Sequence, residues 1–307
     1  MTQQTIDMTV QVGPITLPTP VLVASGTFGF GEEYADFIDL RRLGGIVTKA
    51  VTLRPRQGNP GPRVYETAAG MLNAIGLENP GVEVAAAEKL PPLLDLGVPI
   101  IVNVAGESQA EYVEVARRLA ALDGLAALEL NVSCPNVERG GLEFGRDPDT
   151  LSALVRAVRD ATDLPLIVKL SPNVADLVPL AEAALDAGAA ALSLVNTFLA
   201  MAIDARRRKP RLGNVTGGLS GPAIKPIALR MVYQLWQALR PPLIGMGGIM
   251  TGEDAAEFMI AGAAAVAVGT ATFVDPTAPL RITDELAAFC RDEGIARVRD
   301  LTGTLQA

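Results

Sequence analysis

Histidine is absent from the 307 residues, cysteine occurs twice, and aromatic residues make up only 4%. Without an imidazole, no side chain has an ordinary pKa near neutrality, so proton transfer at physiological pH falls to a thiol or to a group moved from its usual range. Two distant cysteines, Cys134 and Cys290, form no disulfide framework of the secreted kind. Reduced thiols in a cytoplasm are the expectation. A surplus of positive charge is also missing: 26 Lys and Arg against 34 Asp and Glu leave a net charge of −8. This argues against a nucleic acid or an anionic membrane as partner, since both reward a basic face. The one basic run, Arg206 to Arg211, reads as a solvated turn. No signal peptide is expected, because "MTQQTIDMTV" has neither a positive n-region nor an apolar h-region. The longest uncharged run, Phe258 to Val274, is broken by Gly262 and Gly269 and reads as a helix end plus a buried strand rather than a membrane span. A dinucleotide fingerprint is lacking too, since "GFGEEY" at Gly29 misses the third glycine.

What the chain does have is a 49% apolar composition, rich in Ala, Gly and Val, enough to bury a large core. Short apolar runs recur: "VLVASG" from Val21, "GIVTKA" from Gly45, "PIIVNV" from Pro99, "AALELNVS" from Ala126, "LIVKLS" from Leu166, "ALSLVNT" from Ala191, "PLIGMGG" from Pro242 and "AVAVGTA" from Ala265. Continuous rather than alternating apolar strands suit a sheet covered on both faces, and segments such as "EYVEVARRLAAL" between them carry helical periodicity. Eight β-then-α units predict an α/β fold, a (β/α)8 TIM barrel forming a single domain over 1–307, with a doubly wound open sheet as the alternative. Long loops follow strands 2, 4 and 6. Those after 2 and 6 are dense in Pro, Gly and Asn, and all open on the face where barrels build active sites.

Polar side chains interrupt the strand exits: Lys49, Asn103, Asn131, Lys169 and Asn196. Amides and lysines are costly to bury unpaired, so five at equivalent positions suggest a layer facing a bound polar molecule. Gly247 and Gly248 after the seventh run, and Gly269 and Thr270 after the eighth, have the makings of a phosphate cradle, because glycine admits an anion close to backbone N–H groups. Such a pocket fits a phosphorylated substrate or a flavin mononucleotide. Plain turn chemistry is the rival explanation of the glycines.

"NVSCPN" at Asn131 to Asn136, "KAVTLRPRQGNPGPRVYET", "NAIGLENPG" at Asn73 to Gly81 and "NTFLAMAID" with "GNVTGGLSGPAIKPIALRMVYQ" closely resemble the catalytic subunits of the dihydroorotate dehydrogenase family. The likeness runs nearly end to end, and the subtype it resembles is the B type, linked to NAD+ through a partner subunit. It implies oxidation of dihydroorotate to orotate in pyrimidine synthesis, with one FMN per chain. Carried over, Cys134 is the base at C5. A thiol, with a reference pKa of about 8.5, is the nearest group to neutrality that this chain owns. Cys290, in "LAAFCRDEG", reads instead as a buried small hydrophobe.

By the same resemblance Lys49, Asn73, Ala74, Ile75, Gly76, Leu77, Asn131, Asn136, Asn196 and Thr197 bind substrate. FMN is held by Ser25, Lys49, Ala50, Asn103, Asn131, Lys169, Val195, Gly221, Gly247, Gly248, Gly269 and Thr270, and no metal is expected. Gly140 and Gly141 serve as hinges of a lid. The implied partner carries FAD and a 2Fe-2S cluster around a barrel homodimer, as a heterotetramer. Two cysteines fall short of the four thiolates that iron–sulfur clusters take as a rule, so that chemistry belongs on another chain. Ala50 and Ala200 stand where the family often has glycine, which touches packing and no reacting group. Two other readings remain open: a Schiff-base barrel lyase using Lys169 or Lys49, and a related flavin barrel acting on another dihydropyrimidine.

Overall fold

The computed structural model describes residues 5–133, 135–136 and 142–306, with only the backbone given for 135–136 and 142–143. Eight parallel strands close a barrel: β1 (Val21–Val23), β2 (Gly45–Val47), β3 (Ile100–Val104), β4 (Ala127–Asn131), β5 (Leu166–Lys169), β6 (Ala191–Leu194), β7 (Leu243–Met246) and β8 (Ala265–Val268). Neighbours in sequence are neighbours in space, and β8 returns to β1 with Ala267 opposite Leu22, so the barrel has no free edge. Each strand lies inside one of the apolar runs. The runs extend past the strands, which leaves Ser25, Lys49 and Asn196 on the loops just beyond.

Among the described residues, six helices of nine residues or more follow β3 to β8 in turn: α1 (Gln109–Leu119), α2 (Pro148–Arg159), α3 (Val178–Asp186), α4 (Lys225–Leu239), α5 (Gly252–Ile260) and α6 (Ala278–Asp292). In α1, Tyr112, Val115, Ala116 and Leu119 are buried at helical spacing. Burial of one large apolar side chain of this kind contributes about 1.5–3 kcal/mol. Ser108 and Asp147 cap α1 and α2 through the N–H groups of Glu111 and Thr150. Cys290 is buried in α6, and burial pushes its thiol pKa up, as for an inert core residue.

The first two units depart from the expected β-then-α pattern. Between β1 and β2 only two short 3-10 turns form, Glu32–Tyr34 and Leu40–Arg42. Gly29 and Gly31 sit there at φ +61° and +86°, which an α-helix cannot take up. After β2 the helical path is broken into Gly81–Val84, a wide turn over Ala85–Lys89 and Pro91–Leu94.

The long segments after β2 and β6 are more than loops. Together they build an antiparallel sheet in the order Phe198–Met201, Thr216–Ser220, Gly70–Asn73, Val64–Thr67. A Cβ on Gly70 would collide with the Ser220 carbonyl, so the glycine permits this close approach of strands. The basic run occupies the turn between Ile203–Asp204 and Lys209–Pro210, with Arg206, Arg207 and Arg208 exposed. After β4, Pro135–Asn136 pairs with Leu142–Glu143. Cys134, Gly140 and Gly141 lie outside the described residues, as does the side chain of Asn136. Among the described residues no helix is long and apolar enough to cross a membrane.

Candidate active site

Where the barrel strands end and the antiparallel sheet begins lies an open-mouthed cavity of about 620 Å³. That is the size of a pocket for a small molecule with an attached group.

One wall is polar. Asn196 Nδ2 donates to Ser133 Oγ at 2.9 Å and to Asn131 Oδ1 at 3.3 Å, while Asn196 Oδ1 accepts the N–H of Thr197 at 2.8 Å. Facing it, the sheet brings in Asn73, whose Nδ2 donates to the Gly218 carbonyl at 3.2 Å, followed by Ala74, Ile75, Gly76 and Leu77. Leu77 has φ +55°, an unusual backbone state for a branched residue. Lys49 lines the same space half-buried, and its ammonium has no ion-pair or hydrogen-bond partner among the described residues. At the rim, Arg56 pairs with Glu107 at 2.7 Å and Arg63 with Glu78 at 2.6 Å.

The opposite end is made of backbone. Gly221, Gly247 and Gly248 lie at φ +92°, +123° and +79°, and Gly269 and Thr270 complete the lining. A Cβ on Gly248 would come 2.8 Å from the Gly221 carbonyl and 3.0 Å from the Lys225 nitrogen, so no other residue fits without a shift. Among the described residues, the N–H groups of Gly248, Ile249, Gly269 and Thr270 have no backbone partner. Lys225 and Asp254 brace this end at 2.5 Å, and Asp254 also accepts the N–H groups of Met250 and Thr251 at 2.8 and 2.9 Å. Burial alone would raise the Asp254 pKa. The Lys225 ammonium and the two N–H donors outweigh burial and hold it below the usual carboxylate range.

Beneath lies a charged cluster. Lys169, at the end of β5, donates to Ser25 Oγ at 3.2 Å and stands 4.0 Å from Glu129 Oε1. Glu129 accepts from Asn103 Nδ2 at 2.6 Å and Ser193 Oγ at 2.7 Å. Ser25, Ala50, Lys169 and Val195 line the cavity, whereas Asn103 is fully buried behind it, its Oδ1 without a partner among the described residues. The sequence reading passed over Glu129, Ser133, Ser220 and the Arg56–Glu107 pair. Glu129 did carry a signal, a carboxylate in the middle of the apolar run "AALELNVS".

The donor set fits a flavin mononucleotide. Unpartnered N–H groups at glycines suit a phosphate. The Lys169 ammonium, on the cavity wall, suits a ring that gains negative charge on reduction.

Comparison with known proteins agrees with this geometry. A family model described as dihydroorotate dehydrogenase matches residues 7–290. A protein of Geobacter sulfurreducens named dihydroorotate dehydrogenase B (NAD+), catalytic subunit, is 54% identical over 300 residues, 98% of each chain. One of Desulforudis audaxviator with the same name is 55% identical over 294 residues, 96% of each chain. A solved structure of DHODH from Eimeria tenella, in complex with ferulenol, superposes with a TM-score of 0.82 over 99% of this chain and 90% of that one. At 24% identity, what it shares with this chain is the fold. The matched span and the identity of these relatives lead to one conclusion: the chain belongs to the dihydroorotate dehydrogenase family.

Proposed function

We propose that the chain oxidises (S)-dihydroorotate to orotate in pyrimidine biosynthesis, as the FMN-bearing catalytic subunit of an NAD+-linked enzyme. The observation that carries this reading is Lys49, a half-buried lysine with no ion-pair or hydrogen-bond partner among the described residues, set beside asparagines in a chain of net charge −8. A ligand with a carboxylate beside a cyclic ureide satisfies both features, because a carboxylate pairs the ammonium and each amide offers a donor and an acceptor.

Bound FMN would supply the hydride acceptor for substrate C6. The chain's own residues do the rest. Lys49 holds the carboxylate, while Asn73, Asn131, Asn136, Asn196 and Thr197, with the backbone of Ala74 to Leu77, fix the ring and exclude water from its edges. Cys134 takes the C5 proton. Gly221, Gly247, Gly248, Gly269 and Thr270 hold the phosphate. Ser25, Ala50, Lys169 and Val195 hold the ring, and Asn103 stands behind them.

The rest of the electron path is assigned to a separate subunit carrying FAD and a 2Fe-2S cluster, around a homodimer of this barrel. The reading treats 1–307 as one cytoplasmic domain. Its support is that this chain has neither a dinucleotide fingerprint nor four cysteines.

Anaerobic mixing of the flavin-loaded protein with dihydroorotate or dihydrouracil tests the substrate. Dihydrouracil lacks the carboxylate and should reduce the flavin poorly. Lys49→Ala should raise the half-saturating dihydroorotate concentration about 10- to 150-fold, the worth of a charge-assisted hydrogen bond, and should leave dihydrouracil almost unaffected. Equal losses with both substrates would refute the carboxylate contact. A flavin reduced faster by dihydrouracil would favour a barrel acting on a different dihydropyrimidine.

A further inference from the structure

Among the residues whose burial is described, Glu129 is the only fully buried carboxylate and Lys169 the only fully buried cation, at 1% and 5% exposure. An isolated buried charge is costly, so each depends on the other. Yet they do not close into a direct hydrogen bond, since Lys169 Nζ stands 4.0 Å from Glu129 Oε1. The two carboxylate oxygens are instead taken by neutral donors from β3 and β6, Asn103 Nδ2 and Ser193 Oγ. Lys169 therefore keeps N–H groups for the cavity it lines, beyond the one given to Ser25. A carboxylate only accepts, so it also fixes which way the Asn103 amide points. The nitrogen faces Glu129, and the oxygen has no partner among the described residues.

From this arrangement, and on the flavin reading of the cavity, we infer that Glu129 is a positioning residue for the cofactor, damping the positive charge that Lys169 presents. Removing the negative charge leaves Lys169 unopposed, which favours the reduced, more anionic ring. A side chain that only filled space would alter folding and leave that balance alone.

The test is a dye-equilibrated reductive titration of bound FMN in wild type, Glu129→Gln and Ser193→Ala. Glu129→Gln should favour reduced over oxidised flavin about tenfold more than wild type, a shift of about +30 mV for a two-electron couple. Ser193→Ala keeps the charge and should shift the potential far less. An unmoved potential in Glu129→Gln, or an equal shift in Ser193→Ala, overturns the inference while leaving the flavin reading intact. A wild-type chain that takes up no FMN overturns both. If Glu129→Gln fails to fold, a Glu129→Gln, Lys169→Met double variant must melt higher than the single, because no charge is left unopposed. A double variant no more stable than the single again overturns the inference.

Discussion

Cys134→Ser is expected to bind FMN normally and to be reduced by dihydroorotate about 10²- to 10⁴-fold more slowly near neutral pH, the usual contribution of a positioned base. The cavity makes the argument by what it offers instead. Its described titratable lining is Lys49, Arg56, Glu78, Glu107 and Lys169. Both carboxylates are tied to arginines at the rim, and there is no histidine in the chain. The two lysines already have other tasks on this reading, Lys49 at the substrate carboxylate and Lys169 at the flavin ring. On the proposed function the base is Cys134, which follows Asn131 and Ser133, both on the cavity wall. Serine keeps the shape and loses the accessible thiolate, so the residual rate should climb with pH further than in wild type. Rapid-mixing absorbance gives the rate directly, and a serine variant as fast as wild type would remove Cys134 from the mechanism.

Purified alone, the flavin-loaded chain should reduce an artificial dye with dihydroorotate at least about a hundredfold faster than it reduces NAD+. Hydride transfer to a nicotinamide needs a site that orients the ring against the flavin, and effective molarities for such positioning are very large. No fingerprint for that site exists here, and Cys134 with Cys290 cannot carry a cluster to relay electrons. Steady-state assays with the two acceptors decide the matter. Brisk NAD+ reduction by the lone chain would contradict the two-subunit reading.

The barrel was readable because parallel strands covered on both faces leave continuous apolar runs, and each of the eight runs contains one strand. The covering sheet was not, because Gly70–Asn73 and Thr216–Ser220 are rich in glycine and lack the alternation that marks a strand. Its glycines are there for close approach, as at Gly70 against Ser220. The missing first helix was likewise hidden: Gly29 and Gly31 look like ordinary loop glycines until their positive φ values show why no helix forms. Polar strand exits pointed to the cavity, and Lys49, Asn131, Lys169 and Asn196 do line it. Asn103 follows the same pattern in sequence yet lies behind the wall, because its amide is drawn to Glu129. That contact spans two strands and left no trace in local spacing.

The most direct test is the absorption spectrum of the purified protein, without oxygen, before and after one equivalent of dihydroorotate. The account predicts a flavin spectrum that bleaches as orotate appears in equal amount. A colourless protein that takes up no FMN, or a flavin that stays oxidised with dihydroorotate present, would contradict it.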